Sequence, residues 1–142
     1  KKAKMELRRS IRALPDFAKF FIVFYSDGTE EPPGQEGWML ARAPIIRRIS
    51  NWVQGLHANG GTNPLPAFKR VFALDERPDV IFFLTDGDIT RMKAANVAAL
   101  NNRGLRTVVN TIAFGEATSQ ELLMQIALES GGVYRFVESR GP

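Results

Sequence analysis

The chain has 142 residues, 44% of them hydrophobic and 24% charged, which is ordinary for one globular domain long enough to bury a core. It contains no cysteine and a single histidine, which excludes disulfides, thiolate metal sites and thiol catalysis, and leaves His57 no second imidazole with which to share a metal. The formal net charge is +4, and six of the nineteen Lys and Arg fall within the first twelve residues.

In chain order, residues 3–14 read as an amphipathic helix, with Ala3, Leu7, Ile11 and Leu14 on one face. Its basic residues have no aromatic or glycine-rich neighbours. They read as a solvated helix face, and nucleic acid is not an expected partner. No Ser, Thr, Asp or Asn starts this helix. Ala18 to Tyr25 follows as a continuous apolar strand, closed by Ser26-Asp27-Gly28. A polar loop runs from Thr29 to Gly37, and Gly37–Ala41 fits a short edge strand. Ala43–Leu56 is a helix striped by Ile45, Ile49, Trp52, Val53 and Leu56. His57, just past it, reads as a surface residue near a helix C-terminus.

In Gly60-Gly61-Thr62-Asn63-Pro64 the glycines allow a sharp bend, Asn63 suits an N-cap and Pro64 suits the first helical position. Leu65, Phe68 and Phe72 mark the helix that follows, to about Leu74. Val80 to Leu84 is an apolar run bounded by Pro78 and Asp86-Gly87, the pattern of a strand buried on both faces of a parallel sheet. A helix over Arg91–Arg103, a strand over Leu105–Phe114, a helix opened by a Thr118–Glu121 capping box, and a strand over Val133–Val137 complete the chain. Strands alternating with helices predict right-handed crossovers in a single α/β domain over 1–142, with a doubly wound, mostly parallel sheet and helices on both faces.

Ligands of such sheets bind outside the carboxyl ends of the strands. Three turns are expected at that edge: Asp27-Gly28, Gly60-Gly61-Thr62 and Asp86-Gly87-Asp88. A Thr hydroxyl with carboxylates is a hard, all-oxygen donor set, suited to Mg²⁺, Mn²⁺ or Ca²⁺ and not to zinc. The bland alternative is that Asp27 and Asp86 cap turns and that Thr62 bonds its own helix.

The succession FFIVFYSD, GGTNPLPAF, DVIFFLTDGD, TVVNTIAFG and GGVYRFV resembles a von Willebrand factor type A domain of bacterial kind over essentially the whole chain. The resemblance implies a metal-ion-dependent adhesion site at the top of the sheet. Its divalent ion, usually Mg²⁺, would leave a coordination position open to an Asp or Glu of a protein partner. Thr62 matches the family Thr, and Asp86 matches the family third-loop Asp. The family's D-x-S-x-S loop and the central strand before it have no counterpart in these residues. The chain opens Lys1-Lys2-Ala3-Lys4 without a Met and is expected to start just downstream of that strand. On this reading Mg²⁺ is not held tightly by these residues alone, and Phe20–Tyr25 and Val80–Leu84 are left as open strand edges. No run approaches the roughly 18 apolar residues of a membrane span, and the compartment stays open.

An enzyme class competes. Asp86-Gly87-Asp88-Ile89-Thr90 fits the D-x-D-x-T of haloacid dehalogenase-like phosphatases, with Asp86 as nucleophile and Asp88 as acid/base. No Asp follows Asp88, and only 54 residues remain to supply the rest of such a site. No G-x-G-x-x-G follows any strand, and one His without a nucleophile elbow argues against acyl transfer. A non-enzymatic interaction domain is the expectation.

Overall fold

The contacts within the chain divide it into two units, Lys1–Gly61 and Thr62–Pro142. They are seen in a computed structural model that describes residues 2–26, 28–56, 63–85, 88–115 and 119–138.

In the first unit, α1 (Lys2–Arg12) packs on α2 (Ala43–Gly55). Ile11 from α1 and Ile49 and Val53 from α2 meet Phe20, Ile22, Met39 and Ala41 in one buried cluster, with Leu7 and Leu14 against it. The Lys4 ammonium donates to the Leu56 carbonyl just beyond α2 and fastens the two helices together. Pro44 sits in the first turn of α2, where a missing N–H costs nothing.

The expected continuous strand over Ala18–Tyr25 is corrected here to two short pieces. β1 (Lys19–Phe20) pairs antiparallel with β4 (Met39–Leu40), and β2 (Phe24–Tyr25) pairs antiparallel with β3 (Thr29–Glu30). Between the pieces the ladder is replaced by a side chain. The Ile22 N–H donates to Gln35 Oε1 at 3.1 Å, and Gln35 Nε2 donates to the Ile22 carbonyl at 2.8 Å. A carboxamide offers the same donor and acceptor as a peptide group, so Gln35 does for Ile22 what a neighbouring strand would do. Gln35→Ala should therefore lower stability by about 1–3 kcal/mol, the cost of stranding polar groups at a buried residue. Gln35→Glu keeps only the acceptor and should fall between wild type and Gln35→Ala. Urea unfolding of the three proteins checks the order, and identical midpoints would mean that the amide contributes nothing.

The second unit runs α3 (Leu65–Phe72), β5 (Val80–Thr85), α4 (Ala94–Asn101), β6 (Val108–Gly115), α5 (Gln120–Ser130) and β7 (Tyr134–Glu138). Its sheet has the order β5-β6-β7, parallel throughout, with Phe83 opposite Thr111 and Thr111 opposite Tyr134. Both crossovers step the same way across the sheet, so right-handed connections put α4 and α5 on one face. The contacts agree. Phe68 of α3 meets Phe83 edge-on at 5.0 Å, and Thr111 Oγ donates to the Leu123 carbonyl of α5 at 2.9 Å. Phe83 and Thr111 are register partners and share a face, and α4 packs on both α3 and α5.

The opposite face carries Val80, Phe82 and Leu84 of β5 with Ile112 and Phe114 of β6. Ile112 and Phe114 are buried, whereas Phe82 is 61% exposed. Among the described residues β6 is the only strand that pairs with β5.

Helix ends depart from expectation by a residue or a turn, for local reasons. α4 begins at Ala94 and not at Arg91, because Arg91 has φ 61, in the left-handed region. The Lys93 N–H then bonds to Asn96 Oδ1 at 2.7 Å and closes the first turn. Asn63 Oδ1 accepts the Leu65 N–H at 3.3 Å, but Pro64 holds the cap position that the sequence assigns to Asn63. Ser119 takes the cap of α5 without a side-chain bond to that helix; Thr118 of the expected capping box lies outside the described residues.

Candidate metal site at the strand ends

The edge that the sequence singles out is framed by the carboxyl ends of β5 and β6. β5 stays in register with β6 up to Thr85, paired with Ala113, and Thr85 is buried. The next residue is Asp86. β6 ends at Gly115, whose φ of 85 turns the chain away in a conformation that glycine adopts at little cost. Beyond β5, the Ile89 N–H donates to Ser119 Oγ at 3.1 Å and ties the loop after β5 to the start of α5. That serine makes no side-chain bond to its own helix. Sequence reasoning missed this role, since Ser119 lies 30 residues from Ile89 and no local pattern marks it.

Thr62 and Asp86 lie outside the described residues, as do Asp27, Gly60, Gly61, Gly87 and His57. The described residues therefore supply the frame of the site and leave both metal-ligand assignments as they stood. Asp88, of the competing phosphatase motif, is exposed beyond the end of β5. Among the described residues no group of three or more His, Cys, Asp or Glu is placed to hold a metal ion. One cavity, of about 210 Å³, lies between α4 and α5 and is lined by Val97, Asn101, Arg106, Ile126 and Glu129. Arg106 and Glu129 put it toward the amino ends of β6 and β7, away from the strand ends that carry Asp86.

The family model for the von Willebrand factor type A domain matches residues 2–136. The chain belongs to that family. Solved structures agree on the fold. A von Willebrand factor type A protein from Catenulispora acidiphila superposes with a TM-score of 0.82 at 23% identity, covering 96% of this chain and 34% of that one. BatB from Bacteroides thetaiotaomicron gives 0.74 at 14% identity, covering 98% and 80%. Proximal thread matrix protein 1 from the mussel byssus, described with a zinc-occupied adhesion-site motif, gives 0.67 at 19% identity, covering 95% and 35%. The von Willebrand A domain described here thus spans about a third of the first of these proteins. Among curated proteins none matches it.

The α/β class expected from the strand and helix alternation is that of the family, and the sheet of the second unit is parallel as expected. Domains of this family are generally interaction modules. No described helix is long and apolar enough to cross a membrane.

Proposed function

We propose that this von Willebrand A domain, spanning 1–142 as one unit of function, is a protein-interaction module that binds an acidic residue of a partner protein through a divalent ion. Thr62 and Asp86 would contribute to holding that ion. The observation that carries the reading is the run of β5: an apolar parallel strand held in register to Thr85, with Asp86 as the next residue, in a chain that matches the family model. The donor chemistry fits. A hydroxyl and a carboxylate are hard oxygen ligands, suited to Mg²⁺, Mn²⁺ or Ca²⁺. When bound, the ion would act as the largest local positive charge and draw a carboxylate into its open position. A partner surface presenting Asp or Glu is the expected ligand, and the role is binding, with no reaction catalysed.

Two ligands do not complete a six-coordinate shell; water would take some of the remaining positions, and a D-x-S-x-S loop of the kind the family resemblance implies would supply others. Titration calorimetry with Mg²⁺ and Mn²⁺, on this chain and on a version extended upstream, tests the assignment. The extended protein should bind the ion. Thr62→Ala and Asp86→Asn should each weaken binding tenfold or more, about 1.4 kcal/mol at least. Ion binding that neither substitution alters would remove both residues from the site. If the extended protein binds no divalent ion, the adhesion-site reading fails.

A further inference from the structure

The excess positive charge has a place. Ten of the nineteen Lys and Arg but six of the fifteen acidic residues precede Leu56, and the rest of the chain is balanced at nine and nine. Within α1 the single acid, Glu6, is 3.8 Å from Arg9, and α2 contains no acidic residue. Arg12 at the end of α1 and Arg47 on α2 line the same open cleft, of about 410 Å³. Its floor is apolar, formed by Leu14, Ala41 and Ile46, and Asp16 stands on its rim. Both arginines are exposed, and neither has an ion-pair or hydrogen-bond partner among the described residues. Phe17, next to Asp16, is 79% exposed.

The shape of this surface narrows what it fits. The apolar faces of α1 and α2 are already spent on the buried cluster around Ile11, Ile49 and Val53. The pair therefore has no free apolar stripe with which to lie in a bilayer as an amphipathic helix does. A bare phosphate would satisfy the guanidiniums but leave the floor of Leu14 and Ile46 uncovered, and it would face the Asp16 carboxylate. An extended peptide uses the whole surface. Its carboxylates meet the planar guanidinium forks of Arg12 and Arg47 in paired hydrogen bonds, and an aliphatic side chain between them covers the floor. A backbone N–H of such a peptide is also a fit donor for Asp16.

We propose that the cleft between α1 and α2 is a second, metal-independent docking site, which takes an acidic peptide segment with an aliphatic residue set between carboxylates. It lies entirely within the first unit and uses neither Thr62 nor Asp86, so it stands or falls apart from the metal reading.

The test is a selection of displayed random octapeptides on the immobilised chain in the presence of a chelator, which silences any metal site. Enriched peptides should carry at least two Asp or Glu around a Leu, Ile, Val or Met. Their binding should fall at least tenfold in Arg12→Glu/Arg47→Glu and be unchanged in Arg103→Glu, an exposed charge reversal in the second unit. The milder Arg47→Gln, checked for native circular dichroism, guards against a misfolded double variant and should show a smaller loss in the same direction. No enrichment, or enrichment of peptides indifferent to the arginines, overturns the proposal. Duplex DNA or phosphatidylserine vesicles that bind through Arg12 and Arg47 while no acidic peptide is enriched would also overturn it, in favour of a phosphate surface.

Discussion

Gly132→Ala should be the most damaging single methyl that can be added to this chain's described glycines. A Cβ at position 132 would lie 2.1 Å from the Val109 carbonyl oxygen and 2.7 Å from its carbon, with Asn110 Oδ1 at 2.9 Å. Two of these are backbone atoms of the central strand of the β5-β6-β7 sheet, and they cannot turn aside as a flexible side chain would. The same neighbourhood starts the β6–β7 ladder. The Val133 N–H donates to Asn110 Oδ1 at 2.8 Å, and the Thr111 N–H donates to the Val133 carbonyl at 3.0 Å. Just before the ladder, the Val109 N–H is taken by the buried Ser130 hydroxyl at 2.8 Å. Making room for a methyl therefore means moving β7, or the end of α5, away from β6. Overpacking of a close-packed interior usually costs about 1–3 kcal/mol, and a clash with fixed backbone belongs at the top of that range or above it. Thermal unfolding of Gly132→Ala should fall by about 10 °C on that basis. The neighbouring Gly131→Ala is the control. Gly131 has φ 82 and open space around it, so its loss is the left-handed strain of about 1–2 kcal/mol alone. Equal losses at the two positions would show that close approach to Val109 does not limit the fold.

The pair Gly131-Gly132 also shows how far sequence reading goes. As a helix stop it is plain, and the structure ends α5 there with the Gly132 N–H returning to the Ala127 carbonyl at 2.8 Å. That the second glycine is needed for contact with a strand more than twenty residues earlier has no local sign. The same division holds elsewhere. β5 and β6 are legible as strands because each carries a short, mainly apolar run, but the expectation that β5 is buried on both faces is corrected, since Val80 and Phe82 are exposed on one of them. The break in Ala18–Tyr25 is not legible, because the residue that interrupts the ladder is Gln35, 13 positions away in a loop of ordinary polar composition. Boundary errors at Arg91 and Asn63 come from backbone angles and side-chain caps that several residue types can supply. For the candidate site, the residue types at Thr62 and Asp86 and their order after glycines and after a strand are readable. The role of Ser119 in holding the loop after β5 is a tertiary contact, and the sequence is silent about it.

Asn101→Ala should destabilise the second unit by about 2–5 kcal/mol, although position 101 looks like an unremarkable polar end of a helix. Its side chain is 6% exposed and closes a two-way exchange with Thr107, which is fully buried. Asn101 Nδ2 donates to the Thr107 carbonyl at 2.7 Å, and the Thr107 N–H donates to Asn101 Oδ1 at 2.8 Å. Arg77 Nη2 reaches both the carbonyl and Oδ1 of Asn101 at 3.2 Å, while its guanidinium lies 5.1 Å from the Phe72 ring centre. Thr107 Oγ in turn donates to the Pro78 carbonyl at 2.7 Å. One amide thus binds the end of α4 to the entrances of β5 and β6. Alanine leaves a buried N–H and a buried carbonyl without partners, each costing about 1–3 kcal/mol, and takes away one anchor of Arg77. Thr107→Val removes the Pro78 bond and strands one buried carbonyl, so it should cost about 1–3 kcal/mol, less than Asn101→Ala, which strands two groups. Asn101 bonds the backbone of residue 107, which Thr107→Val keeps, so the two losses should be close to additive. Asn101→Ala unfolding in urea at the wild-type midpoint would mean that the amide is not the clamp this geometry describes.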